Sequence, residues 1–264
     1  LPDLFSNGFL KNDSGVFSAV KRNGKWLKTS VEQFQEKVRN LALGLHELGV
    51  SKGDKVSIHA ENSTEWLIID QAVLSIGAAL VPIYTTQPGD QITYILENSE
   101  TKVHIVSNDS LFAETKPLIK KVECVKAIIS IQPSKHQKLK SFEEILDKGK
   151  QIHSKSPELF DSLLADVSES DLATLIYTSG TTGLPKGVML THKNIVSNAL
   201  AAKELFPFDK EDLKDPKVLS YLPLAHIFER TAAYMYGFMG LPIYYIEKVE
   251  EIRDDFTTVN PVYF

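Results

Sequence analysis

Short apolar runs alternate along the chain with longer segments in which apolar residues recur at helical spacing. One well-bounded helix is predicted to start at a capping box formed by Thr29 and Glu32 and to run through apolar positions up to Gly49. Strands are predicted at residues 56–60, 79–84, 103–107, 125–131, 172–178, 187–190, 218–222 and 242–246, with helices starting near Asn62, Asp90, Leu111, Ser141, Thr191 and Phe228. This alternation predicts an α/β fold whose parallel sheet is covered on both faces.

Two segments interrupt the alternation. Residues 133–170 are rich in Lys, Ser and acidic residues, so we expect a surface connection between two sheet-building halves. Residues 259–264 resemble the entry to another buried strand that lacks its following helix. We therefore expect the chain to stop inside a larger protein.

Composition narrows the class of protein. The 264 residues are 43% hydrophobic and carry a formal net charge of −5, which is typical of a globular protein and argues against general nucleic-acid binding. Cys124 is the only cysteine, so no intrachain disulfide forms and a reducing, cytoplasmic location is expected. The longest apolar stretch, residues 66–84, contains Asp70 and Gln71, which favours a core helix and strand over a membrane span.

The candidate chemistry lies between the strands predicted at 172–178 and 187–190. The connecting loop supplies glycines, hydroxyl side chains and the cation Lys186, which is a set of groups that can bind a polyphosphate. Composition alone supports a plain strand connection equally well. A Walker A loop would need a glycine where Pro185 stands, and the Gly-x-Gly-x-x-Gly dinucleotide pattern is absent.

The spacing of this loop matches a known signature. Residues Tyr177 through Val188 fit, at every position, an aromatic residue followed by Thr-Ser-Gly-Thr-Thr-Gly-x-Pro-Lys-Gly-Val. The chain thus resembles the adenylate-forming enzymes, which include acyl-CoA synthetases, peptide-synthetase adenylation domains and firefly luciferase. Segments 49–54, 61–66 and 77–84 look like the amino-terminal portion of the same family, so the resemblance covers essentially the whole chain.

A second block narrows the subfamily. Residues Tyr221 through Arg230 read Tyr-Leu-Pro-Leu-Ala-His-Ile-Phe-Glu-Arg, which is similar to the block of long-chain fatty-acid CoA ligases. The resemblance implies that His226 lines or gates the junction of the acyl, nucleotide and thiol paths. Without the resemblance, a partly buried histidine that caps the following helix is the favoured interpretation.

The resemblance also implies a reaction. ATP and a fatty acid would form acyl-adenylate and pyrophosphate, with Mg²⁺ sharing the phosphate charge, and CoA would then displace AMP. The residues implied to hold ATP are Thr178, Ser179, Gly180, Thr181, Thr182, Gly183 and Lys186, and those implied to be catalytic are Lys186 and His226. An acyl carrier protein as acceptor, or a nucleotide-binding module without catalysis, stays open.

The family architecture implies stacked αβα subdomains in an acyl-CoA synthetase-like amino-terminal domain that is incomplete at its carboxyl end. The expected subdomains are residues 53–165 and residues 1–50 with 191–264, joined by the phosphate-loop hairpin 172–190. The adenine-binding segment, the ribose-binding Asp and the distal catalytic Lys of the family are not in this sequence. We therefore expect the chain alone to be inactive, and the apolar product tail makes peripheral contact of the parent enzyme with a membrane plausible.

Overall fold

A computed structural model of the chain describes residues 1–9, 14–178, 184–205, 215–246 and 249–262. The chain forms two compact units. The first unit comprises Leu1–Glu36, Asn62–Leu67 and Lys193–Phe264, and the second comprises Lys37–Glu61 and Ile68–His192. A compact unit need not be a domain that folds independently. The predicted subdomain limits therefore stay predictions.

The strands form two sheets among the described residues. The strands are β1 (Val16–Arg22), β2 (Lys25–Ser30), β3 (Lys55–His59), β4 (Ala79–Ile83), β5 (Thr101–Val106), β6 (Ala127–Ser130), β7 (Lys140–Ser141), β8 (Leu172–Thr178), β9 (Lys186–Thr191), β10 (Val218–Ser220) and β11 (Ile243–Tyr245). The second unit holds the order β7-β6-β5-β3-β4-β8-β9 and the first holds β10-β11-β1-β2. The expected parallel pairing is confirmed except at β8–β9 and β1–β2, which are antiparallel.

Helices connect these strands. They are α1 (Pro2–Phe9), α2 (Val31–Glu47), α3 (Thr64–Ser75), α4 (Gly89–Asn98), α5 (Asp109–Ile119), α6 (Phe142–Lys155), α7 (Leu159–Ala165), α8 (His192–Glu204), α9 (Ile227–Met239) and α10 (Ile252–Val259). All five residues of β4 are buried, as expected for a central strand whose two faces are both covered. In the described part of the chain, no helix has the length and apolar character that a membrane crossing requires.

Two predicted helix starts shift by one or two residues because a different side chain provides the cap. At α2 the capping box is formed by Ser30 and Gln33, whose side chains each accept a hydrogen bond from the other's backbone N–H at 3.1 and 3.0 Å. The prediction of Thr29 with Glu32 was therefore wrong by one position. At α3 the cap is Ser63, whose hydroxyl accepts from the backbone N–H of Trp66, so Asn62 is left for another role.

The segment predicted as a surface connection contributes to the core of the second unit. It contains α6, which starts at the predicted cap Ser141 and buries Phe142 and Ile145. Two glycines let α6 and α2 approach closely: a Cβ at Gly149 would lie 1.7 Å from the Asn40 carbonyl oxygen, and one at Gly44 would lie 2.3 Å from that of Ile145. Surface composition concealed this packing because only one stripe of α6 is apolar.

In the first unit, the hairpin β1–β2 was not predicted, although its turn carries a strong signal. Asn23 and Gly24 form a two-residue loop with φ values of 50° and 72°, which is the backbone of a type I′ turn. Lys21 on β1 then fixes α10 through Glu251 at 2.8 Å and Asp255 at 2.7 Å, and these bonds raise the pKa of Lys21. Helix α10 ends at Val259, the first residue of the segment predicted to enter a strand, and residues 260–262 form no strand, so that prediction was wrong for the described residues.

The core of the first unit is aromatic where α1, β1, α2 and α9 meet. Phe17 stacks on Phe34 with ring centroids 3.6 Å apart, and Phe5 meets Phe17 and Tyr234 edge to face. Gly237 makes room for this arrangement, because a Cβ there would lie 2.3 Å from the Phe5 ring. The packing holds α9 firmly, and α9 carries the predicted residue His226 at its start.

Replacing Gly149 by Ala should destabilise the second unit. Alanine favours a helix over glycine by about 1 kcal/mol, but the added methyl group meets a backbone carbonyl that cannot rotate away. We expect the free energy of unfolding in urea to fall by roughly 1 to 3 kcal/mol. Gln151→Ala, at an exposed position of the same helix, is the control and should be neutral; equal stability of both variants would contradict the packing argument.

Candidate functional site

The Gly/Thr-rich loop follows β8, whose predicted bounds are confirmed. Because β8 runs parallel to β4, the loop begins at the carboxyl ends of the parallel strands, which is the edge where open α/β sheets bind ligands. The predicted ATP-binding residues Ser179, Gly180, Thr181, Thr182 and Gly183 lie outside the described residues. Their predicted role stays a prediction, and the described flanks, Thr178 and Lys186, define the mouth of the loop.

Thr178 and Lys186 lie directly opposite each other at the end of the β8–β9 ladder. Side chains of register partners lie on the same face of a sheet with their Cβ atoms about 5 Å apart. Both residues are exposed. A hydroxyl and an ammonium group therefore share one face at the loop mouth, where they can contact an anion.

Tyr177, the aromatic residue of the signature, anchors the hairpin on its other face. Its hydroxyl donates a hydrogen bond to Asn98 Oδ1 at 2.6 Å, and a Cβ at Gly187 would lie only 3.1 Å from the ring. Burial, together with Tyr94, raises the pKa of Tyr177 to about 12. Because successive side chains of a strand alternate between faces, fixing Tyr177 also fixes the direction in which Thr178 points.

His226 lies in the first unit and caps α9. Its exposed imidazole accepts a hydrogen bond through Nδ1 from the backbone N–H of Phe228 at 3.2 Å. A nitrogen that accepts carries no proton, so in the neutral ring the proton is assigned to Nε2. His226 thus has the capping role that is favoured without the resemblance, but it is exposed and not partly buried. Its Nε2–H donor suits a carbonyl, carboxylate or phosphate oxygen.

Glu229 occupies the first turn of α9 and is buried. Its carboxyl accepts a hydrogen bond from the Ser220 hydroxyl at 2.5 Å. Burial raises the pKa of Glu229 to about 7, and the Ser220 bond opposes this shift only in part. A carboxyl group with this pKa changes charge near neutral pH, which the sequence did not indicate.

Arg230 is fully buried in the next position of α9. Its Nε donates to the Tyr234 hydroxyl at 2.6 Å, and its guanidinium carbon lies 5.6 Å from the ring centroids of both Trp66 and Tyr234. Stacking of a guanidinium on two aromatic faces stabilises the charge where water is excluded. Trp66 and Tyr234 therefore serve the core of the first unit.

Asn62 joins two predicted blocks of sequence that lie far apart along the chain. Its Nδ2 donates to the Leu222 carbonyl oxygen at 2.7 Å, and its Oδ1 accepts from the Leu224 backbone N–H at 2.8 Å. Both bonds lie within the first unit. The sequence predicted Asn62 as the start of a helix and did not predict this bridge. The one indication in the sequence is that Ser63, the next residue, can cap the helix in its place.

No group of three or more His, Cys, Asp or Glu side chains in the described ranges could hold a metal ion. Two of the histidines occupy the core of the second unit instead. His104 is fully buried, receives or donates one hydrogen bond at 2.7 Å with Ser57, and has a pKa lowered to about 3 by burial and by His59. These histidines therefore belong to the packing of the sheet.

The raised pKa of Glu229 predicts a pH-dependent stability. The carboxyl is neutral below its ordinary pKa of 4.5 in both states, so folding carries no penalty there. Between pH 4.5 and about pH 7, Glu229 ionises in the unfolded chain but stays neutral in the folded one, so the free energy of unfolding falls as the pH rises. Above about pH 7 the total loss reaches about 3 kcal/mol. Glu229→Gln keeps an acceptor for Ser220 and removes the buried charge.

We therefore expect Glu229→Gln to raise the free energy of unfolding relative to the wild type at about pH 8 and to leave it nearly unchanged at about pH 4.5. Urea titrations at both pH values measure the difference. Glu144→Gln is the control, since Glu144 has the same position in the first turn of α6 but is exposed. A gain that is equal at both pH values would contradict the assignment.

Comparison with curated proteins finds relatives that share part of their length with this chain. A long-chain-fatty-acid–CoA ligase, FadD15 of Mycobacterium bovis, is 35% identical over 208 residues, which are 79% of this chain and 33% of that protein. A chloroplastic long-chain-fatty-acid–[acyl-carrier-protein] ligase of Arabidopsis thaliana, AEE15, is 27% identical over 274 aligned residues, covering all of this chain and 37% of that protein. The chain thus spans about a third of the length of these relatives.

Solved structures show the same fold. The inhibitor-bound N-terminal domain of FACL13 from Mycobacterium tuberculosis superimposes with a TM-score of 0.80 at 19% identity, covering 98% of this chain and 61% of that one. This agreement confirms the predicted α/β fold of an acyl-CoA synthetase-like amino-terminal domain. The family model described as AMP-binding enzyme matches residues 13–261. With nearly its whole length matched, this chain belongs to the AMP-binding enzyme family.

Proposed function

We propose that the protein containing this chain is an AMP-forming ligase that activates a long-chain fatty acid with ATP and transfers the acyl group to CoA. The observation that carries the proposal is the β8–β9 hairpin, which presents Thr178 and Lys186 on one face beside the Gly/Thr-rich loop at the ligand-binding edge of the sheet. Similarity to ligases for long-chain fatty acids supports the substrate class.

In the first half-reaction, a carboxylate oxygen of the fatty acid forms a bond to the α-phosphorus of ATP as the bond to the bridging oxygen of pyrophosphate breaks. Negative charge increases on the departing pyrophosphate. We assign Lys186 and the hydroxyl of Thr178 to binding its oxygens, and the backbone N–H groups of the loop would add further donors. The task of these residues is to position the phosphates and stabilise charge, without a covalent enzyme intermediate.

In the second half-reaction, the CoA thiol releases its proton to solvent, and its sulfur bonds to the acyl carbon as the bond from that carbon to the phosphate oxygen of AMP breaks. We assign His226 to the junction of the two steps as a hydrogen-bond donor. Its Nδ1 already accepts from Phe228, so Nε2–H is the atom that we assign to the acyl carbonyl oxygen. This assignment makes His226 an orienting group, not the base that removes the thiol proton.

ATP is used as its Mg²⁺ complex in this proposal. The described residues offer no cluster of three acidic or histidine side chains, so no step is assigned to a metal held by this chain. Mg²⁺ would reach the site with the phosphates and share their charge with Lys186.

The acyl acceptor has a second candidate. The similarity to AEE15 of Arabidopsis, whose name gives an acyl carrier protein as acceptor, extends over all of this chain at a lower identity than that of FadD15. Adenylation by the hairpin would be the same with either acceptor. The two candidates are therefore separated by the thiol that discharges the adenylate.

The proposed function is tested by pyrophosphate release from the full-length protein with Mg²⁺ and ATP, across straight-chain acids from short to long. We expect release to rise with chain length and to turn over repeatedly only when CoA is present. Turnover with acyl carrier protein and not with CoA would establish the second acceptor. ATP binding without pyrophosphate release from any acid would overturn the proposal in favour of a non-catalytic nucleotide-binding module.

Lys186→Ala in the full-length protein should lower kcat/KM for ATP by about 10²-fold, since the lost cation faces the charge that develops on pyrophosphate. Lys155→Ala removes the same charge from an exposed position near the end of α6 and should leave the rate unchanged. Equal rates for the Lys186 variant and the wild type would exclude a role in phosphate binding.

The isolated 264-residue chain should neither adenylate nor form a thioester. It contains the hairpin but lacks the adenine-binding, ribose-binding and distal lysine segments that the family resemblance implies. Incubation with Mg²⁺, ATP, a long-chain acid and CoA should give no pyrophosphate above the level of buffer alone. Pyrophosphate release that requires both the chain and the acid would contradict this prediction and show that the 264 residues suffice for catalysis.

A further inference from the structure

We infer that Asn62 is a positioning residue that holds the His226 imidazole in place. Segment 61–66 would thus fix the side-chain orientation of a residue in the block 221–230. The inference rests on the proposed function for its kinetic consequence and on the first unit alone for its geometry. Asn62 binds the backbone on both sides of Pro223, through the Leu222 carbonyl oxygen and the Leu224 N–H.

The anchor is itself rigid. Thr64, two residues after Asn62, shares a buried hydrogen bond of 2.7 Å with Ser18 on β1. Ser63 caps α3, and Trp66 packs against the guanidinium of Arg230. The backbone that carries Asn62 is therefore fixed to the sheet and to α9 before its side chain makes any bond.

The path from Asn62 to the imidazole is short. The N–H of His226 donates to the Pro223 carbonyl oxygen at 2.8 Å, which closes a tight turn directly after the bridged segment. The His226 carbonyl then accepts the first bond of α9 from the Arg230 N–H at 3.1 Å. The hydrogen bond at Nδ1 forms only when this turn places His226 directly before α9. If the bonds from Asn62 to Leu222 and Leu224 are lost, the turn can move and the imidazole can rotate.

Only an amide of this length serves both partners. Asn62 donates with nitrogen and accepts with oxygen at two backbone groups of opposite character. Asp in its place would keep the acceptor for Leu224 but place an oxygen against the Leu222 carbonyl. Ala would lose both bonds. We therefore expect the effect on the position of His226 to be smaller for Asn62→Asp than for Asn62→Ala.

The geometry is tested in the chain itself by amide hydrogen exchange and by ¹⁵N spectra of the imidazole. Asn62→Ala should speed exchange of the Leu224 N–H about 10-fold or more, as loss of one hydrogen bond predicts, and should mix the ring tautomers of His226. Asn62→Asp should keep Leu224 protected. Asn198→Ala is the matched control, because it removes an amide bond to the Asn194 carbonyl on α8 of the same unit. Unchanged exchange and an unchanged ring in Asn62→Ala would overturn the inference.

The kinetic arm uses the full-length protein. Asn62→Ala should raise KM for the fatty acid about 10-fold and change KM for ATP by less than about twofold, because the phosphate-loop hairpin belongs to the other unit. A partly misfolded enzyme would lose active sites but keep both KM values. In a His226→Ala background, Asn62→Ala should add nothing further.

Additive effects of the two substitutions, or the same KM change in Asn198→Ala, would show that Asn62 does not act through His226. The two proposals fail separately. If the wild-type protein releases no pyrophosphate with any acid, the proposed function falls, while hydrogen exchange and the ring spectrum still decide whether Asn62 positions His226.

Discussion

The antiparallel pairing of β9 with β8 is the constraint on which the candidate phosphate site depends. Every other pair of neighbours in that seven-stranded sheet is parallel, so the chain has to cross back between consecutive strands, and it does so through helices except between β6 and β7. At β8 the chain reverses within a short loop and brings Lys186 back beside Thr178. The glycine-rich segment thus starts and ends on paired strands, and Tyr177 anchors those strands from the opposite face.

In the first unit, side chains hold a loop segment in place. Its predicted block from Tyr221 to Arg230 turns sharply between β10 and α9, and such a turn has few backbone bonds of its own. Asn62 supplies two of them from a distant part of the chain, while Arg230 returns the contact by stacking on Trp66. The two blocks therefore stabilise each other.

Patterns that depend on neighbouring residues were predicted well. The limits of β8 and the cap of α6 at Ser141 follow from local alternation and from one hydroxyl beside a helix start. The failures have local causes too: Ser30 lies next to Thr29 and either can cap a helix, and the Asn23-Gly24 turn signal was present but overlooked. The surface composition of α6 hid a packing face made of glycine.

Contacts between distant residues could not be predicted because they depend on the path of the chain. Nothing near Glu229 in sequence indicates that its carboxyl is buried, and its partner Ser220 becomes a partner only after β10 and α9 pack together. The resemblance supplied roles for Lys186 and His226 but no geometry. What the structure adds is the hydrogen bond that Nδ1 of His226 accepts, which leaves Nε2 to carry the proton of the neutral ring and is the reason why we propose His226 as a donor and not as a base.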